Sequence, residues 1–411
     1  MSLLYRTRDS SNGDILILYS NSLSSISISE IKDEINKQIV RPRFRLHWLN
    51  PDETVKTILP QEDIISGSYS ENYQNGQRRS LSVELYNEDG RYLPSINGLW
   101  EDVKFSFEIG IELDDGDTLW FPKGVFYISH ISVSHSPSKK NVTVELSDKF
   151  SALEGKMGTL GDTYVIPAGN NIRDIINDVL SSSKGNGELL DPKEIIYPSV
   201  FESKLTQAEI KKESGATYGD IIIDLATQLS AEVFYDVDGH LTLVPINYVT
   251  NDTDKPIIFQ FYDHFGDLIS NDMSFDLSDV VNRIIVIGSS VSGKISRAIA
   301  VNGNADSPLC YQRIGYRTAS PINDTNITSN ILAQERADYE LRNKLILKSS
   351  VSLEIPFNPL LSVNNLIGIT DEYYGIEQER FLIQSISYSI NDSGTMSISC
   401  SNIRNLPFIS K

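Results

Sequence analysis

The chain has 411 residues, of which 36 are Lys or Arg and 55 are Asp or Glu, for a formal net charge of −19. That length points to roughly two to four domains, because single cores stop growing near ~250–300 residues. The composition argues against a nucleic-acid binder, which needs clustered basic residues, and against a membrane span, since no window approaches the ~18 apolar residues required; Cys310 and Cys400 form no C-x-x-C pair for zinc or redox chemistry.

The first residues, Met1-Ser-Leu-Leu-Tyr-Arg6, lack the basic-then-apolar pattern of a secretory signal. Synthesis in the cytoplasm of the producing cell is therefore expected. The five Asn-x-Ser/Thr sequons, at Asn141, Asn251, Asn323, Asn326 and Asn391, are then read as compositional noise. Ile31, Ile35 and Ile39 stand at i, i+4 and i+8 and give a weak helix within 1–40.

From about residue 41, apolar and polar residues alternate with period two, the mark of half-buried strands. Ser80-Leu-Ser-Val-Glu-Leu85 and Val142-Thr-Val-Glu-Leu146 are examples in the first block, 41–150, and Met396-Ser-Ile-Ser-Cys400 in the last. Asp-Gly pairs at 89–90, 115–116 and 238–239 supply positive-φ turn residues for hairpins. A mixed segment over 155–248 carries two helical stripes. One is Ile172, Ile175, Ile176, Val179 and Leu180, after a possible Asn170-Asn171 N-cap. The other is Tyr218, Ile221, Ile222, Leu225 and Leu229, opened by Thr217 and Asp220 as a capping box. A third helix is expected over 328–347, with Ala333, Ala337, Leu341 and Leu345 on one face. Breaks are read at Ser66–Gln77, Ser181–Pro192, Asn251–Pro256 and Asn302–Thr328.

The two β blocks share motifs in one order. Ser80–Leu85 matches Ser350–Ile355, and Ile109-Gly-Ile111 matches Ile367-Gly-Ile369. Phe126–Ser134 matches Phe381–Ser389, and Val142–Asp148 matches Met396–Asn402. Period two alone makes any two strands look alike, but it does not supply the shared order or the Phe-x-Ile-x-x-Ile-Ser pattern.

Gly288-Ser-Ser-Val-Ser-Gly293-Lys294-Ile295 has the spacing of a phosphate-binding loop after a strand. Ile295 stands where Ser or Thr would hold Mg²⁺, and no helical pattern follows to cradle phosphate, so a hairpin is the simpler reading. Asp114, Asp115 and Asp117, and Asp236 with Asp238, lack the twelfth-position Glu of a calcium loop and are read as turns. His47, His130, His135, His240 and His264 form no metal-binding spacing. No catalytic, cofactor or metal residue is assigned. With 55 acidic residues, no carboxylate pair for glycoside hydrolysis is singled out.

Taken in order, Ser80–Leu85, Asn87-Glu-Asp-Gly-Arg-Tyr92, Lys123–Ile128, Val142–Asp148, Ile166–Ile176, Ser214–Asp220, Glu232–Leu241, Val280–Gly288 and the final Phe381–Asn402 hairpin form a recognisable series. The series resembles the baseplate hub proteins of contractile-tailed bacteriophages. It is also similar to the N-terminal part of tail-associated proteins of non-contractile phages. The likeness covers roughly 41–405, its motifs are short, and their order carries it. It implies a mainly β fold with α+β parts: two related tube-like antiparallel β-barrel domains plus smaller α+β domains. The expected division is an extension at 1–40, a first tube-like domain at 41–154, an α+β domain at 155–248, and a second tube-like domain at 249–411 with the inserted helix near 328–347.

The resemblance further implies a non-enzymatic virion protein of the tail baseplate, acting as a homotrimer without cofactor. Its implied partners are a tail tube or distal tail protein, a central spike protein and a tape measure protein, with DNA passing through without specific binding. The stop at Lys411, soon after the last hairpin, favours a contractile-tail hub over a short tail-associated protein. A tail-tip carbohydrate-binding or cell-wall-degrading protein stays open at this level, with Trp120-Phe121 or Tyr373-Tyr374 as aromatic surfaces. So does a nucleotide-dependent enzyme built on Gly288–Lys294.

Overall fold

The computed structural model describes residues 18–19, 25–26, 42–95, 98–100, 102–112, 118–137, 139–182, 185, 187–207, 209–229, 231–245, 257–263, 268–275, 280–291, 294–324, 327, 329–345, 349–391 and 394–402. The stripe at Ile31–Ile39, the Asp114–Asp117 cluster, His264 and the Asn251–Pro256 break lie outside them. The chain is mainly β, with a large antiparallel sheet and few helices. It divides into two compact units. The first takes Met1–Ile246, Glu354–Val363 and Ser385–Ile398; the second takes Asn247–Leu353, Asn364–Gln384 and Ser399–Lys411.

After the short antiparallel pair β1 (Leu18–Tyr19) and β2 (Ser25–Ile26) come β3 (Pro42–Leu49), β4 (Val55–Ile58), β5 (Ile64–Asn72), β6 (Arg79–Tyr86), β7 (Lys104–Glu112), β8 (Thr118–Ser136) and β9 (Lys139–Asp148). Their hydrogen-bonded order is β5-β6-β9-β8-β7-β3-β4. The predicted alternation sets which face is covered. Leu81, Val83 and Leu85 of β6 are buried, as are Val142, Val144 and Leu146 of β9. The expected break at Ser66–Gln77 is in fact mostly strand, since β5 runs to Asn72. Its small residues read as a turn, yet Ser68 and Ser70 face Ser82 and Ser80, and buried Glu71 is neutralised by Arg79 at 2.9 Å. Gly90 has the expected positive φ of 78°, but its turn leads out of β6 into 91–103 and closes no hairpin, since β6 pairs with β5 and β9.

The middle of the chain mixes short strand pairs with two helices. β10 (Tyr164–Ile166) pairs with β11 (Ile210–Lys212), and β12 (Ala231–Tyr235) with β13 (Leu241–Pro245). Helix α1 (Ile172–Leu180) is capped by Asn171, whose side-chain oxygen accepts from the Arg173 and Asp174 amides. Helix α2 (Tyr218–Leu229) opens on the predicted capping box: Asp220 N donates to Thr217 Oγ1 at 3.1 Å, and Thr217 N donates to Asp220 Oδ2 at 2.8 Å. Both predicted stripes face one core, with Ile176, Val179, Ile221, Ile222 and Leu225 fully buried.

Next come β14 (Ile257–Tyr262), β15 (Ser270–Phe275), β16 (Arg283–Val291), β17 (Lys294–Val301), the single turn α3 (Tyr311–Ile314), β18 (Ile322–Asn323) and helix α4 (Asn330–Leu345). As its stripe predicts, α4 buries Ala333, Ala337, Leu341 and Leu345. They pack on Ile284, Val286, Ala298 and Ala300 of the β16–β17 hairpin, giving this segment a core of its own. Four strands finish the chain: β19 (Ser349–Pro356), β20 (Leu366–Asp371), β21 (Ile376–Ser389) and β22 (Thr395–Asn402).

The strand order β15-β19-β22-β21, with β20 on β21 and β14 on β20, repeats the order β5-β6-β9-β8-β7-β3. All four motif pairs fall on corresponding strands: β6 with β19, β7 with β20, β8 with β21, and β9 with β22. The Ile-Gly-Ile pair does not fall on corresponding residues. Ile367 pairs with Phe381, and Phe105, not Ile109, pairs with Phe126. The glycines serve different neighbours, since a Cβ on Gly110 would strike Thr118 and Trp120 whereas one on Gly368 would strike Gln260. The outermost strands also differ, because β3 pairs antiparallel with β7 and β14 pairs parallel with β20.

One strand carries both neighbours of the repeat. β21 pairs with β20 up to Leu382, and from Ser385 to Ser389 it pairs with Asn72–Ser68 of β5. Within the first unit this pairing stacks Tyr388 on Tyr69 with ring centres 4.8 Å apart, and Phe357 meets Tyr388 edge-on at 5.4 Å. The Tyr388 hydroxyl is buried with no hydrogen-bond partner among the described residues. An unpartnered buried hydroxyl costs about 1–3 kcal/mol, and a large-to-small aromatic change about 3–5 kcal/mol. Tyr388→Phe is therefore expected to leave stability unchanged or raise it by about 1 kcal/mol, and Tyr388→Ala to lower it by about 3–5 kcal/mol, by urea denaturation. A loss above about 1 kcal/mol in the Phe variant contradicts this packing.

Candidate interaction surface

The residues singled out for chemistry do not converge on a site. Gly288–Lys294 is a hairpin: Val291 pairs with Lys294 and Ser290 with Ile295, across the antiparallel β16–β17 pair. Its first glycine is required by crowding, since a Cβ there would lie 2.2 Å from the Ile327 carbonyl oxygen. Asp236 accepts from the amides of Asp238 and His240, and Gly239 has φ 79°, which makes this the predicted hairpin turn. His47 is buried, and burial lowers its pKa against the opposing pull of Glu108. His130 and His135 are exposed on β8, and His240 bonds the Glu194 carbonyl through Nδ1. Trp120 and Phe121 are core residues, with the Arg45 guanidinium 4.0 Å above the Trp120 ring. Tyr373 and Tyr374 meet edge-on at a turn, where Tyr373 is 89% exposed. Among the described residues, no group of three His, Cys, Asp or Glu side chains is placed to hold a metal, and no helix is long and apolar enough to cross a membrane.

An open groove of about 430 Å³ is lined by Pro60, Glu62, Asp63, Tyr86, Glu88, Asp89 and Arg91. Part of its charge is paired: Arg91 bonds Asp89 at 2.8 Å and Asp63 at 3.3 Å, the Tyr92 hydroxyl donates to Asp63, and the Tyr86 hydroxyl donates to Glu88 at 2.6 Å.

Buried charge in the first unit is structural. Glu53 is fully enclosed and meets Lys149 at 2.7 Å, Lys104 at 3.1 Å and Lys193 at 3.2 Å. Burial alone would raise its pKa, but Lys149, Lys104 and Lys193 outweigh that and hold it below the usual value. Lys149 also bonds Asp191 at 2.6 Å, and the Tyr235 hydroxyl donates to the same carboxylate at 2.7 Å. Asp148 accepts the amides of Arg78, Arg79 and Phe150. Arg79 donates to the Tyr235 carbonyl, and Arg78 bonds Glu232 at 3.0 Å. These contacts tie the ends of β6 and β9 to the β12–β13 hairpin. No sequence signal marks them, because each partner lies far along the chain.

Among the described residues, β4 pairs only with β3, and Val55 and Ile58 are about half exposed. Among the same residues β15 ends the strand path and pairs with β19 alone; Asp272 is exposed, its neighbour Asn271 bonds Asp371 at 2.8 Å, and the Tyr374 hydroxyl donates to the Asn271 carbonyl at 3.1 Å. β8 is the longest strand, at 19 residues. Its first half pairs with β7 as far as Tyr127 and with β9 from Phe126 onward. A bulge at Ser129 then marks a change. Ile128 is 7% exposed, whereas Ser129 to His135 are exposed apart from half-buried Ile131, and Val133 is 47% exposed. Beyond Tyr127 no strand among the described residues pairs with β8 on the side away from β9. Sequence patterning missed this edge, because an alternating strand reads the same with one neighbour or two.

Residues 306–406 match a family described only as a domain of unknown function (DUF5048). No curated protein matches the sequence. The fold is similar to that of the 43 kDa tail protein of prophage MuSo2 from Shewanella oneidensis. There the TM-score is 0.60 at 15% identity, over 88% of this chain and 98% of that one. A tail protein from Neisseria meningitidis gives a TM-score of 0.56 at 11% identity, over 87% and 96%. A chain of the Francisella PdpA-VgrG complex gives 0.56 at 12% identity, over 91% and 60%. At these identities the shared feature is the fold, and it is the fold of phage tail proteins and of a VgrG-containing complex.

One buried cation gives a measurable signature. Lys123 sits at the first bulge of β8, fully buried, with Nζ donating to the Pro359 carbonyl at 2.7 Å. Burial lowers its pKa from 10.5 to about 8, against the pull of Glu71. Between those values the unfolded chain holds a proton that the folded one has released, so this group adds stability as pH rises through that window. The stability of the natural chain relative to Lys123→Met is expected to rise by up to about 3 kcal/mol from pH 7.5 to 10.5, at 1.36 kcal/mol per pKa unit. A flat or falling difference in paired urea titrations contradicts it.

Proposed function

We propose that this chain is a structural hub of a phage tail, joining a sixfold tail tube to a threefold central spike. The observation that carries the reading is the recurrence of one strand order twice along the chain, in a fold shared with phage tail proteins over nearly its whole length. A trimer of such chains presents six similar units in a ring, which is what a junction between threefold and sixfold assemblies requires. Under this reading 41–154 and 249–411 are two related tube-like domains, and 155–248 is an α+β elaboration of the first.

The net charge of −19 suits a wall that DNA crosses without sticking, since an acidic surface repels phosphate. The proposal assigns no catalysis to the chain. Glu53, Asp148 and Asp191 are all engaged in structural ion pairs or hydrogen bonds. Tail tube, spike and tape measure proteins are the proposed partners, and the assembled virion tail is the proposed location.

Mass in solution tests the reading. Light scattering is expected to give three times the 46.0 kDa chain mass at micromolar concentration, and a complex with tube and spike proteins when these are added. A monomer that releases soluble fragments from bacterial cell walls would overturn it in favour of a tail-tip hydrolase.

A further inference from the structure

The geometry points to a defined seam between copies: the outer half of β8, His130–Ser134, pairs antiparallel with β15 of a second copy of this chain. This inference rests on the hub reading and names the surfaces through which such a ring closes.

Within the chain, β21 already makes a join of this kind with β5. By the matched motifs, Tyr127 corresponds to Leu382, Ser129 to Gln384, and His130–Ser134 to Ser385–Ser389. Tyr127 is the last residue of β8 paired with β7, and Leu382 is the last of β21 paired with β20. Immediately beyond, the two strands part company. β21 takes β5 as its new neighbour, which buries Ile386 to 2% and Tyr388 to 6% exposure. Among the described residues β8 continues with no strand on that side, and Val133, the counterpart of Tyr388, is 47% exposed. An extended strand edge of this length is one that proteins normally cover or blunt.

The complementary edge follows from the same correspondence. In the repeated order β15 stands where β5 stands, next to β19 as β5 is next to β6. Their sequences agree in register: Ile65-Ser66 matches Ile269-Ser270, and Ser70 matches Ser274. The edge of β5 is filled by β21, whereas no strand among the described residues fills that of β15, where the Tyr374 hydroxyl donates to the Asn271 carbonyl at 3.1 Å. A contact that takes β8 of one copy to β15 of the next joins unlike surfaces, so it propagates head to tail, and it closes into a ring of three where successive copies are rotated by about 120°.

The pairing register is also set. Ser389 faces Ser68, and Ile390 N donates to the Gly67 carbonyl at 2.8 Å, so the neighbouring Ser389–Ser68 pair is of the non-hydrogen-bonded kind. In the seam between copies, Ser134 therefore faces Asp272 of the next copy, and Val133 faces its Met273. Directly opposed residues of this kind have Cβ atoms about 4.5–5.5 Å apart, within reach of a disulfide after a small adjustment.

The test is a double variant of the full chain, Ser134→Cys with Asp272→Cys, oxidised and run on a non-reducing gel. Cys310 and Cys400 are buried and do not compete. Covalent dimers and a closed higher species are expected, absent from either single variant and from Ser134→Cys with Val55→Cys. Val133→Lys, a substitution at an exposed position, is expected to convert the oligomer to a folded monomer, with the far-ultraviolet circular dichroism of the natural chain and a melting temperature that no longer depends on protein concentration. If light scattering shows a trimer but the double variant does not cross-link and Val133→Lys stays trimeric, the seam is wrong while the hub reading stands. If the natural chain is a monomer, both fall.

Discussion

A strand edge must find a partner, and the organisation of this chain follows from how that constraint is met. At Ser385–Ser389, β21 leaves β20 and takes up β5, which joins the second run of strands to the first. The side chains brought together there, Tyr69, Tyr388, Phe357 and Phe107, are among the large buried aromatic residues of the first unit. Lys123 is set nearby by a bulge, with its carbonyl accepting from the Tyr69 hydroxyl and its ammonium held by the Pro359 carbonyl. Among the described residues no strand meets the same constraint at the outer half of β8 or at the far side of β15, and in the repeated strand order these two edges are the counterparts of the pair that is already joined.

Buried charge serves this framework. Glu53 among three lysines, Asp148 beneath three backbone amides, and Arg79 between Glu71 and the Tyr235 carbonyl hold the end of the sheet to the β12–β13 hairpin. Breaking such a pair on one side leaves an uncompensated charge, which costs more than the intact pair contributes. These groups are consumed by structure, consistent with a protein whose proposed work is to hold a shape.

Much of the fold was legible because it rests on local chemistry. Asn171 caps α1, Thr217 and Asp220 box α2, and Ala333 through Leu345 line the buried face of α4, all at their predicted places. Asp238-Gly239 and Gly288–Lys294 resolve as hairpins for the reasons their residues suggest. The repeat was legible in three of four motifs. Ile-Gly-Ile misled, because each glycine answers to its own crowded neighbour rather than to a shared position. β5 was hidden since Ser, Gly and a buried Glu look like a turn until Arg79 is seen beside them. What pattern alone could not reveal is which edges are filled. Alternation reports the two faces of a strand, whereas pairing is decided by residues hundreds of positions away.

The central claim is that two related halves per chain make a trimer behave as a ring of six. Electron cryomicroscopy of the assembled protein tests it most directly. The account predicts a closed ring of three chains whose outline is nearly sixfold at low resolution and threefold at side-chain resolution, with 41–154 and 249–411 alternating around it. A ring in which those two regions occupy different radii or different layers would contradict it.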